Sequence, residues 1–470
     1  MKQVQENFLW GGALSNVQSE GAHLLGGKGL SVFDTTVRGA QYGNTTVFSD
    51  TSVASDHYNH FKEDIDLMKE MGFKAYRFSI VWSRIHPDGE GKTNEEGLKF
   101  YDEMIDYLLK NDIEPIVSLV HFDMPDNLAQ KYNGFVDKKV VELFQRHVEV
   151  VVDYFKEKVK YWITYNEINL VAHSRLVAGA TLPTDMDAFE FHHRLIYHTQ
   201  LAHAKAVEII KKAIPTAKVS GMIACEPRYP KTSHPLDIQA AYFANKFKNY
   251  LFFDIMVFGE FPQYYNQFMK IRNVDLQYQE EDLTTIKNAS KKLDFLSISY
   301  YKTEISEHNE KLTTLQERES DLFANEKRGV RNPYLKASDW GWHIDSEGLR
   351  TAIKFLYERY HKPVFVVENG IGLQEELNEN NTVEDNARIE YYREHIQAVK
   401  NCVTLDGIPV MGYLAWAPID FLSSHREMKK RYGFIYINRT ETELLDLKRY
   451  RKKSFNWYQK VIASNGGDLM

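Results

Sequence analysis

Cysteine is nearly missing: only Cys225 and Cys402 occur in 470 residues, with no C-x-x-C spacing. That excludes a disulfide framework and a cysteine-ligated zinc site. Long apolar runs are missing as well. No stretch reaches the roughly 18 consecutive apolar residues of a membrane-spanning helix, and the opening MKQVQENFLWGG carries no signal-peptide pattern. The expectation is a soluble, cytoplasmic protein, with the sequons at Asn44 and Asn288 present by chance. Excess positive charge is absent too. Lys+Arg 58 against Asp+Glu 65 leaves −7, which argues against nucleic acid or an anionic membrane as the main partner. Metal and cofactor signatures fail one by one. His192, His193, His198 and His203 lack the H-E-x-x-H spacing and read as helix-surface or packed residues. Gly26-Gly27-Lys28-Gly29 does not match a phosphate-binding loop, and Gly370-Ile371-Gly372 lacks the third glycine of a dinucleotide site. No metal and no organic cofactor are expected.

What is abundant is alternation. Strand candidates fall at Phe8–Leu14, Ala75–Ile80, Pro115–Val120, Tyr161–Tyr165, Lys218–Ile223, Phe295–Ser299, Val364–Val367 and Val410–Ala415. Amphipathic helices lie between them. Phe61, Ile65 and Met68 share one face of a helix that ends at Gly72, and Phe100, Met104 and Leu108 do so in the next. Stretches 138–158, 187–213, 346–360 and 384–402 follow the same pattern. Eight strands with helical crossovers predict an α/β fold, a (β/α)8 TIM barrel forming one catalytic domain over residues 1–470. Two long polar segments, 19–57 and 302–340, are expected as strand-to-helix loops walling one face. The charge-rich Glu304–Arg331 stretch reads as a solvated loop, with a lid over the site as the alternative.

Glu368 stands where the apolar run Val364–Val367 stops, ahead of an Asn369-Gly370 turn signal. Tyr161–Glu167 has the same grammar and ends on Asn166-Glu167. Ligands bind at the carboxyl ends of parallel strands. The residues at or just past those ends are Gln18, Arg77, His121, Asn166, Glu167, Tyr301, Glu368 and Trp416. Together they suit a pocket about one sugar ring in size. Paired carboxylates there suit glycosidic bond cleavage, with Glu368 as nucleophile and Glu167 as proton donor and then base. Arg77 and Tyr301 are expected to keep Glu368 ionised, and Asn166 to hold the 2-hydroxyl. Gln18 and His121 take other hydroxyls and Trp416 stacks on the ring. For Arg77 a buried ion pair, and for Trp416 plain core packing, are the alternatives. The 13% aromatic content fits a sugar site as well as a core.

FLWGGALSNVQSEGA, SLVHFDMP, TYNEIN, ISYY, VVENGIG and GYLAWAPID resemble family 1 glycoside hydrolases, retaining β-glycosidases built on a (β/α)8 barrel. The likeness runs through nearly the whole chain. It implies that Glu167 is the acid/base and Glu368 the nucleophile. It also implies glycone contacts at Gln18, His121, Asn166, Tyr301 and Trp416, and an aglycone wall at Trp342. Phe122 departs from the Trp that many members carry after the histidine.

A second departure is more informative. Members acting on plain sugars usually carry Glu-Trp where Ser423-Ser424 stand. A carboxylate there would face a 6-phosphate dianion at close range, so its absence fits a phosphorylated substrate. Ser423, Lys430 and Tyr432 resemble the phosphate pocket of the family's 6-phospho-β-glycosidases, although K-K-R-Y alone would read as a solvated basic run. Ser424, a small residue where the phospho-β-galactosidases tend to have Trp, favours 6-phosphoglucosides. The expected activity is a retaining 6-phospho-β-glucosidase, whose partner is a small phosphorylated β-glucoside. The alternatives are a 6-phospho-β-galactosidase, an unphosphorylated β-glucosidase, a silent sugar-phosphate-binding barrel, and a phosphosugar isomerase or aldolase. The last lacks its Schiff-base lysine or enolising base at a strand end. A homo-oligomer is compatible with the sequence, which does not specify one.

Overall fold

The computed structural model describes residues 4–36, 49–173, 175–308 and 330–470. Its centre is a closed parallel barrel. The strands are β1 (Leu9–Ala13), β2 (Ala75–Ser79), β3 (Glu114–Ser118) and β4 (Tyr161–Ile163), then β5 in two pieces, Lys218–Ser220 and Met222–Ala224. After these come β6 (Leu296–Tyr300), β7 (Val364–Asn369) and β8 (Val410–Trp416). β1 lies between β2 and β8, while the two pieces of β5 pair with β4 and β6 and so close the ring. The sequence predicts one continuous fifth strand. It breaks at Gly221, where an added Cβ would come within 2.8 Å of the Met256 sulfur.

Helices cover the outside because each buries an apolar face against the barrel, and the turns that join them to the strands are well formed. His57–Glu70 ends in a Schellman arrangement: Gly72 N donates to Lys69 O, Phe73 N donates to Met68 O, and Gly72 has φ +87°. Its Phe61, Ile65 and Met68 are buried as expected. Glu95–Lys110, Lys139–Phe155, Ala188–Ala213, Ser346–Tyr360 and Asn386–Thr404 match the amphipathic stretches. Lys453–Ala463 completes the ring after β8. The four histidines of Ala188–Ala213 are all buried, so the packed alternative holds. His203 meets the Thr164 hydroxyl at 2.6 Å and His198 the Phe135 carbonyl at 2.8 Å. No metal-binding cluster occurs among the described residues. No helix among them is long and apolar enough to cross a membrane.

Two local readings need correction. Asn369 is not a turn residue; it ends β7 and is fully buried. Its side-chain amide donates to Tyr300 O at 2.7 Å and the Tyr391 hydroxyl at 2.9 Å, tying β7 to β6 and to the helix outside. Segment 19–57 is not wholly loop, since it includes the short helix Val32–Thr35. The Asn44 sequon and residues 309–329, which carry most of the proposed lid, lie outside the described residues.

Candidate active site

Every residue named at the strand ends is found at the carboxyl mouth of the barrel or just beneath it. Arg77 sits deepest, in the middle of β2 rather than at its end. Its Nε donates to Ser118 Oγ at 2.9 Å, one amino group to Asn166 Oδ1 at 2.7 Å, and the other to Glu368 Oε1. Both alternatives for Arg77 therefore coincide: it is a buried ion-pair partner, and its partner is the candidate nucleophile. Tyr301, just past β6, donates its hydroxyl to the other Glu368 oxygen at 2.8 Å.

The strand geometry aims Glu368. Against β6, the register of β7 slips by one residue between Val366, opposite Ile298, and Glu368, opposite Ser299. Such a bulge turns the following side chain to the face it would otherwise miss. Glu167 is placed differently. β4 stops at Ile163, and Glu167 follows four residues later with φ +45°, a left-handed backbone that glutamate rarely adopts. Its carboxyl accepts a 2.6 Å hydrogen bond from Ser299 Oγ.

The electrostatics separate the two acids. Burial lifts Glu167 to about 8, and the charge of Glu368 adds to the rise, against a smaller opposing pull from the Ser299 hydroxyl. Burial also lifts Glu368, but there the Arg77 charge and the hydrogen bonds from Tyr301 and Arg77 oppose it. Glu368 has a cation and two donors; Glu167 has one neutral donor. The proton therefore resides on Glu167.

Around the pair lie buried polar atoms with no hydrogen-bond partner among the described residues: Gln18 Oε1, Asn166 Nδ2 and both ring nitrogens of His121. Buried polar groups are nearly always satisfied, so such a cluster fits a polar ligand. The scaffold holds each one. Gln18 Nε2 donates to Leu422 O at 2.8 Å, and its short helix is pinned where Asn16 N donates to Ser79 Oγ at 3.1 Å. The His121 backbone N donates to Asp123 at 2.9 Å. Burial, reinforced by Arg77, keeps the His121 ring neutral, so it offers one donor and one acceptor. Trp416 ends β8 and stacks on His121 with ring centres 5.7 Å apart at 23°. It is core and pocket wall at once.

Beyond β8 the Ser423–Tyr432 loop returns to this mouth. It is not a solvated basic run: Lys429 is exposed, while Lys430 and Arg431 turn inward. Arg431 is used structurally, donating to Asp420 at 2.9 Å and to Arg439 O at 2.6 Å. Ser423 Oγ accepts from the backbone N–H of His425 and of Glu427, each at 3.2 Å, leaving its own proton free to be donated. Tyr432 meets Tyr301 edge to face at 6.4 Å, which sets the loop one ring away from Glu368. Lys430 is 3% exposed and makes no ion pair among the described residues. Burial pushes its ammonium down to about 7. Trp342 lies 5.8 Å from Tyr301, held by a segment whose Asp345 takes the Thr303 hydroxyl at 2.9 Å and caps Ser346–Tyr360.

Three contributors escaped the sequence reading. Ser299 could have been found by period two from Tyr301, since both point into the barrel. Ser118, which steadies Arg77, carries no signal of its own. Gly372 makes room for Lys430: a Cβ there would lie 2.7 Å from Lys430 Cγ.

Comparison with known proteins gives one consistent match. The family model described as Glycosyl hydrolase family 1 matches residues 1–467. A 6-phospho-beta-glucosidase of Clostridium longisporum is 41% identical over 475 residues, covering 99% of this chain and 98% of that protein. An aryl-phospho-beta-D-glucosidase of Bacillus subtilis (strain 168) is 40% identical over 474 residues, covering 100% and 99%. Among solved structures, the family 1 β-glucosidase from Thermotoga maritima superposes with a TM-score of 0.86 at 30% identity, covering 99% of each chain.

The site predicts an unusual titration. In protein labelled with carbon-13 at the glutamate carboxyls, one carboxyl should titrate near 8, and Glu368→Gln should shift that titration downward by removing a neighbouring charge. A Glu167 that ionises in the ordinary carboxylate range would contradict the assignment.

Proposed function

The chain belongs to glycosyl hydrolase family 1, and from that premise we propose that it is a retaining 6-phospho-β-glucosidase, cleaving β-glucoside 6-phosphates to glucose 6-phosphate and an alcohol or sugar. The chemistry runs in two steps. A Glu368 oxygen attacks the anomeric carbon as the glycosidic C–O bond breaks, and Glu167 gives its proton to the departing oxygen. The Glu368 ester removes the charge that held the Glu167 proton, so Glu167 is now a carboxylate. It takes a proton from water as that water attacks the anomeric carbon, the ester bond breaks and Glu368 is ionised again. Arg77 and Tyr301 stabilise the Glu368 anion at the start and end of the cycle. Gln18, His121 and Asn166 would bind the sugar hydroxyls, Trp416 would stack on the ring, and Trp342 would flank the aglycone.

One observation carries the phosphate part of the reading: Lys430, a buried ammonium beside Tyr432, whose ring meets Tyr301, has no carboxylate bound to it among the described residues. The neighbouring Lys302 differs, since Glu304 pairs with it and Glu226 approaches to 3.6 Å. Lys430 is thus a cation available to an incoming anion, with the Ser423 and Tyr432 hydroxyls as neutral donors. The phosphate-specific names of the 40–41% identical relatives support the same choice over a plain β-glucosidase. Ser424 supports glucose over galactose. Such substrates arise where a phosphorylating importer delivers sugars, so the proposed place of the enzyme is the cytoplasm, with residues 1–470 proposed as one catalytic domain.

Two experiments test it. Lys430→Ala should lower kcat/KM for p-nitrophenyl β-glucoside 6-phosphate about tenfold or more, mostly through KM, since one charge-assisted contact is worth about 1.5–3 kcal/mol. An unchanged value would place the phosphate elsewhere. Glu368→Ala should be inactive and should regain turnover with azide, releasing the glycosyl azide of inverted configuration. Absence of rescue would count against the nucleophile.

A further inference from the structure

Trp340 takes no part in the proposed catalytic chemistry, yet it completes an unusual enclosure. The Lys430 ammonium lies 3.8 Å from the centre of the Trp342 ring, 5.1 Å from that of Trp340 and 5.6 Å from that of Tyr432. Three aromatic rings thus surround a buried cation that makes no ion pair among the described residues. The Lys430 stem is fixed as well, pressed against the backbone of Gly372.

The choice of rings has a physical logic. A buried ammonium needs negative potential nearby, and a carboxylate would supply it most strongly. A carboxylate at that place would also repel a phosphate dianion and compete with it for the lysine. Ring faces supply weaker negative potential, carry no net charge and bring no oxygen to be displaced. The charge of Glu427 tends to hold the Lys430 proton on, but that carboxylate lies 3.4 Å from the exposed Lys429. Lys302 acts in the opposite sense.

We infer that Trp340 is a positioning residue for phosphate recognition: with Trp342 and Tyr432 it forms an aromatic cage that holds Lys430 extended and unpaired until the 6-phosphate of the substrate arrives. This rests on the proposed role of Lys430. It also gives Trp342 a second duty, since the ring assigned to the aglycone wall is part of the lysine's enclosure. Phosphate grip and aglycone wall share one indole.

Steady-state kinetics on p-nitrophenyl β-glucoside 6-phosphate test this in wild type, Trp340→Leu, Trp340→Phe and Lys430→Ala. Trp340→Leu should raise KM about three- to thirtyfold, the range of one cation–π contact, with kcat nearly unchanged. Trp340→Phe should restore most of the loss, because it returns a ring face. A KM that rises in Lys430→Ala and stays at the wild-type value in Trp340→Leu would overturn the cage and leave the phosphate site standing. No change in Lys430→Ala would overturn both. A loss in Trp340→Leu that falls on kcat and is not recovered by Phe would mark Trp340 as merely structural, and the inference would fail.

Discussion

The contact on which the site depends is the one between Arg77 and Glu368 at the floor of the barrel. Burial alone would protonate both glutamates. The guanidinium and the Tyr301 hydroxyl oppose that for Glu368, and the charge so retained helps keep the proton on Glu167. One cation thereby drives two identical side chains towards opposite protonation states. It also explains why Arg77 sits below the rim: from the middle of β2 it reaches Glu368, Asn166 and Ser118 together. Its own place is fixed by the sheet, where β1 and β3 flank it in parallel register.

The barrel contributes precision more than chemistry. Eight strand ends deliver side chains from distant parts of the chain to one mouth, and small irregularities there set the final aim. The bulge ahead of Glu368, the left-handed backbone at Glu167 and the break of β5 at Gly221 all lie in the barrel strands or the turns that leave them. The Ser423–Tyr432 loop then adds the proposed phosphate site, built on a different principle. Around Glu368, charge is balanced by opposite charge. Around Lys430, it is balanced by rings, which leaves the ammonium able to take an anion.

Much of this was legible in the chain, and the limits are physical. The run Val364, Phe365, Val366, Val367 announces a strand buried on both faces because it is short, mostly β-branched and opened by Pro363, and all four side chains are buried. The same run hides the bulge, since one more valine leaves the pattern unchanged. Asn369-Gly370 looks like a turn by local preference, and tertiary hydrogen bonds override it: the Asn369 side-chain amide donates to Tyr300 O and the Tyr391 hydroxyl, and its carbonyl oxygen accepts from the Tyr413 hydroxyl. Glu167 was found from its neighbours, but its donor Ser299 comes from a strand 132 residues away, a pairing that only the closed barrel creates. Likewise, Trp340 and Lys430 are 90 residues apart in sequence (430 − 340), and no local pattern joins them.

The central claim is that this mouth recognises a phosphorylated sugar, and the direct test is kcat/KM on p-nitrophenyl β-glucoside with and without the 6-phosphate. The account predicts a preference on the order of several hundredfold or more for the phosphorylated compound, the summed effect of one cation and two hydroxyl donors on a dianion. Equal or better turnover of the plain glucoside would contradict it, leaving the two glutamates and the barrel but removing the purpose assigned to Ser423, Lys430 and Tyr432.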